Sequence, residues 1–190
     1  MMSKNKAIIF VGMPGAGKSV CVEHLKAQGL PSCYFGGITI DEVKRRGMEV
    51  NEANERYVRE DIRAHEGKGA YAMRILTQVE EHFQNGNQYV VVDGLYSWTE
   101  YTIFKDSMED NAIIIAIVAA KTARHKRLAT RSVRPLTETE ATARDYAEIE
   151  MLEKGGPIAN ADYFLANDRT TEDLIADLDI TLQYAGVILT

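Results

Sequence analysis

Apolar, β-branched runs recur along the chain at residues 7–11 (AIIFV), 89–93 (YVVVD) and 112–118 (AIIIAIV), with a weaker run at 163–167 (YFLAN). They are continuous rather than alternating, which suits strands buried on both faces of a parallel sheet. A short stretch, SCYFG (32–36), is a candidate for one more strand. Helical patterns fill the intervals at 17–28, 38–47, 52–66, 69–85, 99–108, 121–131, 137–153 and 171–184. Strand alternating with helix predicts an α/β domain with a mostly parallel five-stranded sheet flanked by helices. Two regions exceed what that alternation needs. Residues 38–85 place two or three polar helices between strands. Residues 132–160 form a polar insertion bounded by Pro135 and GGP (155–157). Polar insertions above a rigid sheet are where substrate-covering pieces usually sit.

The first strand runs into Gly12-Met-Pro-Gly-Ala-Gly-Lys18-Ser19, which fills every fixed position of G-x-x-x-x-G-K-[ST] between a strand and a helix. Glycines let the backbone curl so that successive N–H groups point at phosphate oxygens. The helix that follows aims its free N–H groups and positive dipole end at the same anion. Lys18 suits the β- and γ-phosphates, and the Ser19 hydroxyl suits Mg²⁺. The predicted nucleotide-binding residues are Gly12, Pro14, Gly15, Ala16, Gly17, Lys18, Ser19 and Val20, and the predicted ligand is a nucleoside triphosphate.

Asp93 ends a buried run, a position from which a carboxylate reaches the magnesium shell beside Ser19. Gly94 then allows a tight turn or a close approach to substrate. The competing role for Asp93 is to cap the helix starting near Ser97. In KTARHKRLATRSVRP, arginines 124, 127, 131 and 134 recur at helical spacing, which puts Arg127 and Arg131 on one face. Arg127, Arg131 and Arg134, where the chain enters the second insertion, are expected to meet nucleotide or phosphate. Arg144 follows inside that insertion. Arg124 and Lys126 are expected to be solvated.

The loop GMPGAGKS, the strand VVVDG, the helix RLATR, an RD-containing insertion and the late ADYFLAND occur in one order over roughly residues 6 to 184. In this the chain resembles the nucleoside monophosphate kinase branch of P-loop proteins, and is most similar to adenylate-kinase-related and dephospho-CoA-kinase-like proteins. The resemblance implies a P-loop NTPase fold with helical acceptor-binding (38–85) and lid (132–160) insertions. It implies ATP on Lys18 and the loop amides, and Arg127 against the adenine with Asn167 nearby. Arg131, with Arg134 and Arg144, would neutralise the transferring phosphoryl group from the lid. The chain departs from that pattern where relatives carry two acceptor arginines, at Ile40 and Asp41 and at Tyr96. Arg59, Arg63 and Arg74 are the candidate substitutes; a solvated helix face is the competing reading for each.

At 190 residues and a net charge of −6, one domain is expected and a broad nucleic-acid surface is disfavoured. Two cysteines, a short apolar run at the start and no membrane-length segment point to a reduced, cytoplasmic protein without a membrane partner. Both cysteines are expected to be small core residues. The expected activity is transfer of the ATP γ-phosphoryl group to a small nucleotide-like acceptor, with Lys18, Arg131 and Arg134 as catalytic groups and Ser19 and Asp93 on Mg²⁺. Three alternatives stay open: hydrolysis by a P-loop switch, binding without turnover, and a small hydroxyl substrate with Asp93 or Asp41 as base. Oligomeric state stays open as well.

Overall fold

The structure, a computed structural model, describes residues 5–132 and 134–189. Five strands, β1 (Lys6–Val11), β2 (Ser32–Tyr34), β3 (Tyr89–Asp93), β4 (Ala112–Val118) and β5 (Tyr163–Ala166), form one all-parallel sheet of order β2-β3-β1-β4-β5. The helices among the described residues are α1 (Lys18–Ala27), α2 (Phe35–Arg45), α3 (Glu52–Glu66), α4 (Ala70–Gln84), α5 (Trp98–Met108), α6 (Lys121–Thr130), α7 (Glu138–Glu150), α8 (Gly155–Ala159) and α9 (Thr171–Tyr184). None of them is long and apolar enough to cross a membrane.

The continuous apolar runs resolve into two faces by the two-residue period of a strand. Ala7, Ile9 and Val11 of β1, Val90 and Val92 of β3, and Ala112, Ile114 and Ala116 of β4 face one core, shared with α2 to α5. Ile8 and Phe10, Val91, and Ile113, Ile115 and Ile117 face the other, shared with α1 and α9. Cys21 and Cys33 lie one in each core, and burial pushes both thiols up to about 12.

Element ends differ from the sequence reading in two places. The SCYFG stretch is strand only to Tyr34, because Phe35 turns into α2 and packs into the core. The single helix expected over 137–153 breaks after Glu150, Glu153 takes a left-handed φ of 55°, and α8 follows. A capping box between Thr137 and Glu140 fixes the start of α7.

The registers Phe10↔Asp93 and Tyr34↔Asp93 align the carboxyl ends of β1, β3 and β2. The chain leaves β1 toward β2 on one side, while β4 pairs with β1 on the other. The phosphate loop therefore sits at the switch point of an open parallel sheet, where ligands bind.

Phe104 of α5 is fully buried, its ring 6.3 Å from that of Phe35, which meets Tyr96 edge-on at 5.7 Å. Phe104→Ala should cost about 3–5 kcal/mol, read as a lower urea midpoint. A loss below about 1 kcal/mol would mean that this side of the core is loosely packed.

Candidate active site

Residues 12–19 curl between β1 and α1. Gly12 and Gly17 have φ of 152° and 107°, and a Cβ on either would run into the Ile117 carbonyl oxygen or the Asn167 side-chain amide. Glycine is thus required there both by backbone angle and by space. Lys18 Nζ folds back over the loop, donating to the Gly12 carbonyl at 2.7 Å. Burial lowers its pKa to about 8, against the pull of Asp93. Asp93 in turn is raised by burial and lowered by Lys18. Ser97, not Asp93, caps α5, in a capping box with Glu100, so the Asp93 carboxylate is left for the site. A serine hydroxyl and one carboxylate are a sparse set, of the kind Mg²⁺ takes when phosphates and waters supply its other ligands. No group of three or more His, Cys, Asp or Glu among the described residues could hold a metal by itself. Gly94 is buried under the Tyr96 ring, not on the cavity described below.

Behind the loop the structure corrects one expectation. Arg124 is not solvated: it is 6% exposed and donates to the Pro14 carbonyl at 2.9 Å and to both oxygens of Asp145 at 2.8 and 2.7 Å. His125 Nε2 lies 3.0 Å from Asp145 Oδ2. Burial works to raise the Asp145 pKa, but the hydrogen bonds from Arg124 and His125 hold it below the ordinary value. The reason for the error is geometric. Helical spacing identifies which arginines share a face but not what packs on it, and here α7 covers the Arg124 side of α6. Lys126, by contrast, is exposed. Arg127 donates to the Asn167 carbonyl at 2.7 Å and to the Gly15 carbonyl at 3.4 Å, and the Asn167 amide donates to the Ala16 carbonyl at 2.7 Å. Arg127 and Asn167 therefore come together against the loop.

Beside the loop, a cavity of about 530 Å³ opens between α2, α3, the turn after β3, and α7. Arg59, Arg63, Arg134 and Arg144 line it, together with Glu52, Glu55 and Glu148 and an aromatic wall that includes Tyr34, Tyr71 and Tyr96. Arg59 is paired with Glu52 at 2.9 Å and with Glu55 at 3.7 Å, and Arg134 stands 3.7 Å from each of the same carboxylates. Arg63 is different: it sits over the Tyr71 ring at 5.2 Å and has no carboxylate within ion-pair distance among the described residues. The Tyr71 hydroxyl is held by Thr39 at 2.7 Å. Arg131 Nε donates to the Arg134 carbonyl at 2.6 Å. Burial, then the like charges of Arg144 and Arg134, lowers its pKa. Three guanidinium groups thus converge where the second insertion meets the loop. Arg74 is not brought there; it pairs with Glu66 and lines a separate groove that contains Asp41.

The family model described as AAA domain matches residues 8–151. A UPF0200 protein of Thermococcus kodakarensis is 34% identical over 174 residues, covering 90% of this chain and 93% of its own. The chain belongs to the UPF0200 family. Among solved structures, TT1252 from Thermus thermophilus superposes on this UPF0200 chain with a TM-score of 0.69 at 19% identity, covering 95% of this chain and 97% of its own. The dephospho-CoA kinase from Campylobacter jejuni gives 0.54 at 16% identity, covering 96% and 98%. These likenesses establish the fold: a kinase-like P-loop α/β domain.

The sequence reading of this UPF0200 chain missed Asp145, Glu148 and Lys154. Asp145 belongs to the RD pair already noticed for its arginine. Lys154 is the only lysine after Lys126 and directly precedes GGP, a signal that was legible but had no partner until α7 folded over it. Truncating Arg124 would strand a buried carboxylate and a loop carbonyl. Arg124→Ala should therefore destabilise the fold by about 3–5 kcal/mol, more than removing both charges together in Arg124→Met/Asp145→Asn. Denaturant unfolding of the two variants checks this; equal, small losses would return Arg124 to the surface.

Proposed function

We propose that the protein transfers the γ-phosphoryl group of Mg-ATP to a small, nucleotide-like acceptor held in the cavity beside the loop. The observation that carries this reading is the placement of Arg144. Its charge acts on Lys18 and its side chain lines the cavity, which supports a reading in which the phosphate site and the cavity adjoin. A hydrolytic switch has no need of such a cavity.

The glycine cradle and the donor set fit the nucleotide. The loop amides and Lys18 would hold its phosphates, Ser19 and Asp93 the metal, and Arg127 with Asn167 the base end. Bound Mg-ATP supplies the phosphoryl group and the cation that neutralises it. The chain does the rest by position and charge. In this reading residues 38–85 hold the acceptor, with Arg63 as the arginine free to meet it. Residues 132–160 are the lid that brings Arg131, Arg134 and Arg144 to the transferring group and keeps water away. A hydroxyl acceptor is the second reading, with Asp93, a carboxylate at the end of β3 that does not cap α5, as the candidate base.

Assaying labelled ATP against nucleoside monophosphates, dephospho-CoA and small hydroxyl compounds tests the reading directly. Phosphate released to water with no acceptor labelled would overturn it. Mg-ATP at a hundred times its dissociation constant should stabilise the fold by about 2.7 kcal/mol, seen as a higher melting temperature. Ser19→Ala should lose the magnesium-dependent part of that shift.

Lys18→Ala should abolish most turnover in a protein whose far-UV dichroism is unchanged. Arg131→Ala should lower kcat at least about tenfold, roughly 1.4 kcal/mol of barrier, with far less effect on ATP affinity. Equal losses in both quantities would place Arg131 in ground-state binding instead.

A further inference from the structure

On the lid side of the cavity, two cations converge on a carboxylate that belongs to the protein itself. Glu148 of α7 accepts a hydrogen bond from the Lys154 ammonium, and Arg144 Nε stands 3.7 Å from its other oxygen. Lys154 is 2% exposed, and its Nζ lies 4.5 Å from the centroid of the Tyr96 ring. Glu148, Arg144 and Tyr96 all line the cavity, and Lys154 stands just behind them. An ammonium has three N–H donors. Glu148 takes one, the ring face meets the charge from another side, and no other side-chain bond from Nζ is formed among the described residues.

A turn between α7 and α8 does not need this arrangement, because the Lys154 backbone N–H already closes it onto the Glu148 carbonyl. A buried ion pair is a poor way to gain stability, since desolvating both charges opposes their attraction. The groups facing Lys154 are Lys18 from α1, Arg144 and Glu148 from α7, Glu100 from α5, and Tyr96. Burial, followed by Lys18 and Arg144, works to lower its ionisation, with Glu100 opposing. Without the Glu148 charge, Lys154 would face Lys18 and Arg144 with only Glu100 opposing them.

We propose that Glu148 is a resident counter-ion in an oxyanion seat built by Lys154 and Arg144, and that a phosphate group of the acceptor takes this seat on binding. The inference rests on the reading of the cavity as the acceptor site and narrows it to an anionic acceptor. Glu148 then competes with the anion for Lys154, which stands behind the cavity wall and meets the anion where Glu148 gives way.

The two residues must therefore act on anion affinity with opposite signs. Inorganic phosphate is titrated calorimetrically into wild type, Glu148→Gln and Lys154→Met, with and without Mg-ADP, and acetate is run in parallel. Glu148→Gln should bind phosphate at least tenfold more tightly than wild type, and its melting temperature should rise more on adding phosphate. Lys154→Met should bind it at least tenfold more weakly. A purely structural pair would lower stability in both variants and leave phosphate affinity alone, which overturns the proposal. Variants that alter acetate but not phosphate affinity overturn it too, in favour of a carboxylate seat. If Lys154→Met does not fold, the double variant with Glu148→Gln leaves no buried charge unpaired, and phosphate affinity there as high as in Glu148→Gln alone rejects a role for Lys154. Because phosphate is also titrated without nucleotide, absence of Mg-ADP binding in wild type counts against the kinase reading separately.

Discussion

Both oxygens of Asp145 and the carbonyl of Pro14 take hydrogen bonds from one guanidinium, that of Arg124. Pro14 belongs to the phosphate loop, Arg124 to α6 and Asp145 to α7, so one buried charge pair ties two consecutive helices to a loop 110 residues upstream of Arg124. A planar fork with fixed donors suits this geometry in a way a lysine would not. The pair also determines what surrounds it. With Asp145 pinned, its neighbour Arg144 is directed to the cavity side, and Glu148 one turn later lies on the same face. Loop curvature and the placement of the proposed lid are thus mechanically joined.

The cavity is organised by unequal pairing of charges. At its mouth, Glu52 and Glu55 satisfy Arg59 and hold Arg134 close. Deeper in, Arg63 rests on an aromatic ring with no carboxylate within ion-pair distance among the described residues, and Lys154 and Arg144 share Glu148. In the proposed reading, the paired cations hold the walls in position and the under-compensated ones attract the anionic acceptor. In a partly water-excluded site such an attraction is stronger than the same charges would exert at the surface. Net charge conceals this, because a chain at −6 still brings four arginines, 59, 63, 134 and 144, to one cavity.

Much of the fold was legible because the signals are local. Runs such as AIIFV and YVVVD mark strands buried on both faces, and the glycine-lysine-serine loop carries its own geometric reasons wherever it stands between strand and helix. The same holds for the placement of Lys18, Ser19 and Asp93, which follows from position at a helix start or strand end. The boundary errors, at Phe35 and after Glu150, arise where the chain reverses and where packing overrides propensity.

Side-chain pairing across elements was not legible. The spacing of Arg124, Arg127 and Arg131 established a shared helix but not which face α7 would cover, so Arg124 was read as solvated and is buried. Arg59, Arg63 and Arg74 look equivalent in the sequence, yet among the described residues Arg59 is ion-paired, Arg63 lines the cavity with no carboxylate within ion-pair distance, and Arg74 belongs to another groove. Lys154 and Glu148 lie in a region read only as a polar insertion. Local sequence determines backbone form through sterics and hydrogen bonding, which act over a few residues. A buried charge depends on partners brought together by the closing of the whole chain, and only the tertiary structure decides which charges those are.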